Sequence, residues 1–115
     1  MAKTSPTART LAELRKRGAT CQVVERWCAF SKRRIDLFNF ADLLAILGPN
    51  LVAIQVTSGA NHSHRRTKIL AEPKALAWLK TGNLIELHSW SKTGARGQVK
   101  RWTCRREEIV EGDFA

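Results

Sequence analysis

The sequence predicts an α/β domain whose elements follow the order α-β-β-β-α-β-β. Two apolar runs of strand length, residues 42–47 and 51–57, flank the turn signal Gly48-Pro49-Asn50 and predict a central hairpin. Segments with a helical pattern precede and follow this hairpin, and a segment in which apolar and polar residues alternate comes later in the chain. With 115 residues and 43% hydrophobic content, the chain can bury one core but not two. We therefore interpret residues 1–115 as one domain, with residues 1–9 as a frayed lead-in.

The first helix is expected directly after this lead-in. Residues 11–17 suit a short basic helix, and Gly18 is well placed to end it. The first strand is expected within residues 21–30, which are rich in strand formers. Residues 31–39 then form a charged connector that ends in an aromatic-rich turn, where Asn39 can adopt a left-handed conformation.

The two runs of the central hairpin are apolar on both faces, which is typical of central strands in a sheet. Helical segments are expected after them, at residues 64–70 and 73–80. Pro73 suits the first turn of the second of these helices, and Gly82 follows its end.

A second hairpin is expected at the edge of the sheet, from residues 84–90 and 98–105. Core or edge packing is the default interpretation for all four tryptophans. Two of them, Trp90 and Trp102, fall on this hairpin beside basic residues, and these are the two that we would test for contact with nucleic acid.

The balance of charges points to an acidic partner. Twenty Lys and Arg residues against ten Asp and Glu residues leave a formal charge of +10. The basic residues recur in five small groups along the chain, and a solvated surface is the alternative interpretation of any single group. All five together favour nucleic acid, with DNA preferred to RNA. No run of about 18 apolar residues is present, so no membrane partner is expected.

The three cysteines are an odd number and lack CxxC spacing. They therefore indicate neither a disulfide framework nor a zinc site. We interpret Cys21, Cys28 and Cys104 as small buried hydrophobes in a reducing, cytoplasmic setting.

One group of polar residues in the central hairpin could carry chemistry. Gln55 and Thr57 lie two residues apart on one strand and must face the same side of the sheet. The short turn brings Asp42, at the start of the other strand, close to them. Because hard cations prefer oxygen ligands, this pattern predicts a metal site centred on Asp42.

These residues resemble the PD-(D/E)XK nuclease superfamily, in particular small phage and bacterial proteins assigned to it. The segment Phe-Ala-Asp42-Leu-Leu-Ala-Ile stands for the first acid, and Val-Ala-Ile-Gln55-Val-Thr57-Ser-Gly stands where Glu-X-Lys is expected. The resemblance covers roughly residues 10–90. It implies a restriction-endonuclease-like core of order α-β-β-β-α-β, with a central mixed sheet flanked by helices.

The resemblance also implies a mechanism, in which acids hold Mg²⁺ or Mn²⁺ and a lysine orients the attacking water. Gln55 is neutral and Thr57 has no charge, so both depart from the motif. Glu25, expected in mid-strand, could add a carboxylate, and Lys68 or Arg65 could supply the cation. The expected catalytic residues are therefore Asp42, Gln55, Glu25 and Lys68, and the first three are the expected metal ligands. Asp36 and Glu13 are lower-ranked acids.

Further residues are expected at the surface that binds the nucleic acid. They are Lys32, Arg33, Arg34, Asn61, Arg65, Arg66, Lys100 and Arg101. His62 and His64 are expected to contact phosphate or water, and His88 to be exposed or half-buried on a strand.

Three functions remain open at this point. The leading hypothesis is a metal-dependent nuclease or Holliday-junction-resolvase-like hydrolase acting on DNA. The alternatives are a catalytically inactive DNA-binding module of the same fold and a basic RNA-binding protein. Because the domain is small, it covers little duplex, and a homodimer is a reasonable expectation.

Overall fold

A computed structural model describes residues 4–114, which form an α/β fold with two sheets. The helices are α1 (Pro6–Lys16), α2 (His62–Leu70) and α3 (Pro73–Lys80). The strands are β1 (Thr20–Val23), β2 (Arg26–Cys28), β3 (Arg33–Ile35), β4 (Leu43–Leu47), β5 (Asn50–Ser58), β6 (Leu84–Thr93) and β7 (Arg101–Ile109). Short 3₁₀ turns occur at Gly59–Asn61 and Glu111–Asp113. Within the described residues, no helix is both long and apolar enough to cross a membrane.

The main sheet is mixed and has the strand order β1-β4-β5-β6-β7. Only β5 and β6 run parallel within it, and the helices α2 and α3 form the connection between them. The predicted positions of the central hairpin and of the edge hairpin are confirmed, since β4 and β5 each have two neighbours and β7 has one.

The central hairpin turns at the predicted place. Leu47 pairs with Asn50, so the turn contains only Gly48 and Pro49. Gly48 has a φ of 61°, a left-handed value that glycine adopts without strain. Positive φ at the first residue of a two-residue turn matches the twist of the strands that it joins.

Helices cover both faces of the main sheet. On one face, Leu14 of α1 packs with Val52, Ile54 and other apolar residues of β4 and β5. On the other face, Ile69 of α2 and Ala75 of α3 pack with Ala53 and with residues of β6. This alternation along β5 follows from the two-residue period of a strand, and it places Gln55 on the face covered by α2.

The first helix begins earlier than predicted. Ser5 caps it, because its Oγ accepts a hydrogen bond from the amide of Ala8 at 3.1 Å, and Pro6 occupies the first helical position. The predicted frayed lead-in is therefore helical from Pro6 onward. Its residues 1–3 lie outside the described residues.

The first strand expected within residues 21–30 is β1, but it ends at Val23, where the chain leaves the main sheet, so the expected mid-strand position of Glu25 is wrong. The amides of Val24 and Glu25 both donate to the carbonyl oxygen of Asp42, at 2.9 and 3.2 Å. Glu25 therefore lies between two strands and not within one.

The predicted connector instead takes part in a second, separate sheet. Strands β2 and β3 pair antiparallel, with Arg26 opposite Ile35 and Cys28 opposite Arg33. We call residues 26–35 the basic hairpin. At its turn Phe30 is 97% exposed, so the hairpin projects its tip into solvent.

Candidate metal centre

Three carboxylates meet beside the first residues of the central hairpin. They belong to Glu25, Asp36 and Asp42, and one oxygen of each lies within 4.8 Å of the others. Glu25 follows β1, Asp36 follows β3, and Asp42 precedes β4. A group of this kind can hold a metal ion, since carboxylate oxygens are the preferred ligands of hard cations.

The backbone around Asp42 explains why the three acids meet. Its amide donates to the carbonyl of Ile54 at 2.9 Å, which attaches it to β5, and its own carbonyl receives the amide of Glu25. The turn between Asp36 and Asp42 contains two residues with positive φ, Phe38 at 51° and Asn39 at 66°. This turn returns the chain within six residues, so that both aspartates reach the same place.

The carboxyl group of Asp42 is held firmly and is shielded from water. Its residue is 5% exposed, and its Oδ2 accepts hydrogen bonds from Gln55 Nε2 at 2.8 Å and from the amide of Val56 at 2.9 Å. Burial, a hydrogen bond with Asp36 and the negative charges of Asp36 and Glu25 together raise the pKa of Asp42 to about 8, although the hydrogen bond from the Val56 amide opposes them. A cation bound here would favour the ionised form of all three acids.

Basic side chains surround a pocket next to these acids. The pocket has a volume of about 250 Å³, and Asp36 and Gln55 line it together with four cations, Arg33, Arg34, Arg65 and Lys68. Arg34 lies 3.5 Å from Glu25 and is 64% exposed. Arg65 contributes a buried Nε atom that has no hydrogen-bond partner among the described residues. An acidic floor with basic walls suits a metal ion together with an anionic ligand.

Comparisons of the chain with protein-family models, with curated proteins and with solved structures gave no match. The resemblance to the PD-(D/E)XK superfamily therefore stays a prediction. It depends on the residues quoted above.

The structure brings together most of the residues predicted for the site. Glu25 lies beside Asp42, and the lower-ranked Asp36 completes the cluster. Gln55 directs its amide nitrogen at Asp42, and its role as a metal ligand stays a prediction. Lys68 and Arg65 both line the adjoining pocket.

Glu13 is not part of the acidic cluster. It lies on α1, where its carboxylate is 3.9 Å from Arg106. The helix α1 packs on the opposite face of the sheet from the one that carries Gln55.

The residues predicted to bind nucleic acid fall into separate places. Lys32, Arg33 and Arg34 belong to the basic hairpin, and Asn61 is exposed in the 3₁₀ turn before α2. Arg66 is engaged within the protein, at 2.7 Å from Glu107 and 3.1 Å from Asp113.

Lys100 and Arg101 lie at the far end of the edge hairpin. Arg101 pairs with Thr93, whereas the partner of Gln55 in β6 is Leu87. Six residues along a strand correspond to about 20 Å. This basic group is therefore remote from the acidic cluster.

Two histidines differ from their predicted surroundings. His62 is 2% exposed, with Nδ1 at 2.7 Å from Ser89 Oγ and Nε2 at 2.8 Å from Glu107 Oε1, so it does not face phosphate or water. His88 is completely buried, where its Nε2 lies 2.7 Å from Glu86. Each of these buried histidines has hydrogen-bonding partners within the protein.

The tryptophans divide between the core and the surface. Trp90 is 8% exposed, and its indole nitrogen donates to Thr10 Oγ1 at 2.9 Å, so it belongs to the core. Trp102 is 41% exposed and lies under the guanidinium of Arg9. Trp27, assigned by default to packing, is 60% exposed on the basic hairpin. The only sequence signal for the exposure of Trp27 was its position among arginines.

Proposed function

We propose that this chain is a metal-dependent nuclease that hydrolyses phosphodiester bonds in DNA on a PD-(D/E)XK-type core. The observation that carries the proposal is the cluster of Glu25, Asp36 and Asp42 at the edge of a pocket lined by cations. Carboxylates suit a divalent cation, and the neighbouring cations suit the phosphate on which that cation would act.

The order of the elements supports this core. Strands β1, β4 and β5 form an antiparallel unit, and β6 joins it in parallel after two helices. Asp42 stands immediately before the second strand of this unit, and Gln55 lies within hydrogen-bonding distance of it on the third strand. The resemblance places the first acid and the glutamate of the motif at these positions.

The cations of α2 support a role in phosphate binding. Because Thr57 stands where the motif has lysine, strand β5 itself supplies no cation to the site. Arg65 and Lys68 approach the same pocket from the helix instead. Both side chains can form charge-assisted hydrogen bonds with phosphate oxygens.

The protein groups would divide the work of the reaction. Glu25, Asp36 and Asp42 would hold Mg²⁺ or Mn²⁺, and Lys68 and Arg65 would bind the scissile phosphate. A divalent cation, when bound, polarises a phosphoryl oxygen and lowers the pKa of coordinated water. The arginines of the basic hairpin would bind the flanking backbone, which positions the substrate without reading its sequence.

A cleavage assay tests this proposal. The wild type and Asp42→Asn are incubated with branched, single-stranded and duplex DNA in Mg²⁺, Mn²⁺ or chelator. Asparagine keeps the size of the side chain and can still accept the amide of Val56, so the fold is expected to survive. We expect metal-dependent cleavage by the wild type and at least about a hundredfold loss in the variant, beyond the 10- to 100-fold typical of partners outside the first ligand sphere.

The control is Glu111→Gln, which removes one acid from an exposed position outside the cluster. It is expected to cleave like the wild type. Cleavage that persists in Asp42→Asn, or that needs no metal, would overturn the assignment of this centre.

A second candidate function is a DNA-binding module of the same fold that does not cleave. Two observations favour it, namely the neutral Gln55 and the absence of a cation at Thr57, which is only 7% exposed. Tight binding to DNA without cleavage in either metal would establish this module. Competition by RNA in the same binding assay decides between DNA and RNA as the partner.

A further inference from the structure

The basic hairpin is a feature that the metal centre does not explain. We propose that it is a wedge which inserts Phe30 between unstacked bases and so directs the protein to branched or bulged DNA. This inference rests on the proposed action on DNA and specifies the class of substrate.

The exposure of two aromatic side chains is the first argument. Phe30 is 97% exposed and Trp27 is 60% exposed. Neither side chain is needed to fill the core at these exposures, so both rings are accessible to a partner. Aromatic rings at such positions can stack on bases, because every base has a π-face.

The charge of the hairpin identifies the kind of partner. Arg26, Lys32, Arg33 and Arg34 lie within ten residues that contain no acid. Aromatic side chains among cations are the combination that binds unpaired nucleotides, since the cations follow the backbone while the rings take the bases. An apolar protein partner would not require four positive charges.

The position of the hairpin connects it to the proposed chemistry. Glu25 directly precedes it and Asp36 directly follows it, so both of its ends lie in the acidic cluster. Trp27 is opposite Arg34 in the β2–β3 register, and opposite residues point to the same face of a hairpin. Because Arg34 also contacts Glu25, that face adjoins the metal centre.

The length of the hairpin sets the distance over which it can act. Phe30 is five residues beyond Glu25, which corresponds to at most about 17 Å of extended chain. This length matches roughly five stacked bases at the 3.4 Å spacing of a DNA strand. Cleavage is therefore expected within about five nucleotides of the unstacked step.

The test measures binding in chelator, so that no cleavage takes place. Labelled bulged duplex, four-way junction and continuous duplex are titrated with the wild type, Phe30→Ala and Trp27→Ala. The wild type is expected to prefer the bulge and the junction. Phe30→Ala is expected to lose about tenfold or more on these two substrates, the scale of one base–aromatic stack, and little on the continuous duplex.

Val99→Ala is the matched control. Val99 is another apolar residue, 79% exposed, beside basic residues in the loop between β6 and β7. Its removal is expected to change none of the three affinities. Since Phe30 is almost fully exposed, its replacement should not unfold the protein, and circular dichroism checks this.

Two further readouts report on the hairpin itself. A 2-aminopurine base placed beside the bulge should brighten on binding the wild type and not on binding Phe30→Ala. Hydrogen bonds to Ser31 lower the pKa of the Cys28 thiol to about 7, so we expect iodoacetamide to modify it near neutral pH. Bulged DNA should protect Cys28 from this reaction, as peptide mass spectrometry can show.

The outcomes separate this inference from the proposed function. Equal binding and equal 2-aminopurine signals in the wild type and Phe30→Ala would overturn the wedge, even if the protein cleaves DNA. Loss of both signals in Phe30→Ala would support the wedge, even if no metal permits cleavage. Binding to anionic lipid vesicles is tested in parallel. If Phe30→Ala weakens binding to the vesicles but not to the bulged duplex or the junction, the wedge would be overturned in favour of a membrane surface.

Discussion

At the scale of single residues, Asp42 joins the structure to the proposed chemistry. Its backbone amide and carbonyl link β5 to the segment that follows β1, and its side chain receives two hydrogen bonds from β5. The same burial that makes these bonds effective disfavours a negative charge. The residue therefore stabilises the fold most when it is protonated or when a cation lies beside it.

The pH dependence of stability should reveal this carboxyl group. Because its pKa rises from 3.8 to about 8 on folding, the folded state keeps a proton that the unfolded state releases between these values. The free energy of unfolding of the metal-free protein should therefore fall as pH rises from 5 to 8, by up to about 1.4 kcal/mol per pH unit from this group. Urea denaturation of the wild type and Asp42→Asn measures the difference.

The free energies of unfolding of the wild type and Asp42→Asn should differ in their pH dependence only through the carboxyl group of Asp42. Asp42→Asn should lack this part of the pH dependence, and parallel curves for the two proteins would contradict the prediction. At pH 8, Mg²⁺ or Mn²⁺ should stabilise the wild type selectively, by about 2.7 kcal/mol at a hundred times the dissociation constant.

At the scale of elements, the contact of α2 with β6 and β7 anchors the edge of the main sheet. His62 reaches Ser89 on β6 and Glu107 on β7, and Arg66 reaches Glu107 and Asp113. Burial opposes ionisation of Glu107, but hydrogen bonds from His62 and Arg66 keep its pKa below the ordinary value. This network fixes the helix that carries Arg65 and Lys68.

Removing His62 should loosen this contact. His62→Ala removes the partner of Ser89 Oγ and of Glu107 Oε1, with only Arg66 still holding Glu107, and it opens a cavity. We therefore expect a loss of about 2–4 kcal/mol in the free energy of unfolding. His64→Ala, on an exposed part of the same helix, should change it by no more than about 0.5 kcal/mol. Urea denaturation at one pH compares the two, and similar losses would show that the network is not a distinct anchor.

At the scale of the whole molecule, the net charge of +10 contrasts with the local cluster of three acids formed by Glu25, Asp36 and Asp42. A nucleic acid attracted by the general charge would meet a site where the carboxylates repel phosphate unless a cation lies between them. DNA is thus expected to bind at many places on the surface of the molecule, but a phosphate is expected to lie close to the carboxylates only at the acidic cluster.

Salt dependence should distinguish these two kinds of contact. Lys68→Ala and Lys80→Ala each remove one exposed helical cation, but only Lys68 lines the pocket beside the acids. A plot of log binding constant against log salt should become less steep by about 1 for Lys68→Ala. Lys80→Ala should leave the slope unchanged, and equal slopes for both variants would show that binding follows the general charge alone.

Local patterns in the sequence determined the central part of this fold. The apolar runs, the Gly48-Pro49 turn and the helix signals at Pro73 and Gly82 act over a few residues, and each produced the expected element. Asp42 and Gln55 could be predicted to lie close together for the same reason, since a two-residue turn and the period of a strand leave little freedom.

Only the tertiary structure decided which other groups join them. Glu25 reaches Asp42 because the chain leaves the sheet through hydrogen bonds to a carbonyl that lies 17 residues further along the sequence. The basic hairpin exists because residues 26–28 pair with residues 33–35, which belong to the segment that the sequence predicts to be a charged connector. His62 is buried because partners on β6 and β7 complete its hydrogen bonds. These contacts depend on residues that are distant in sequence, and no local pattern specifies them.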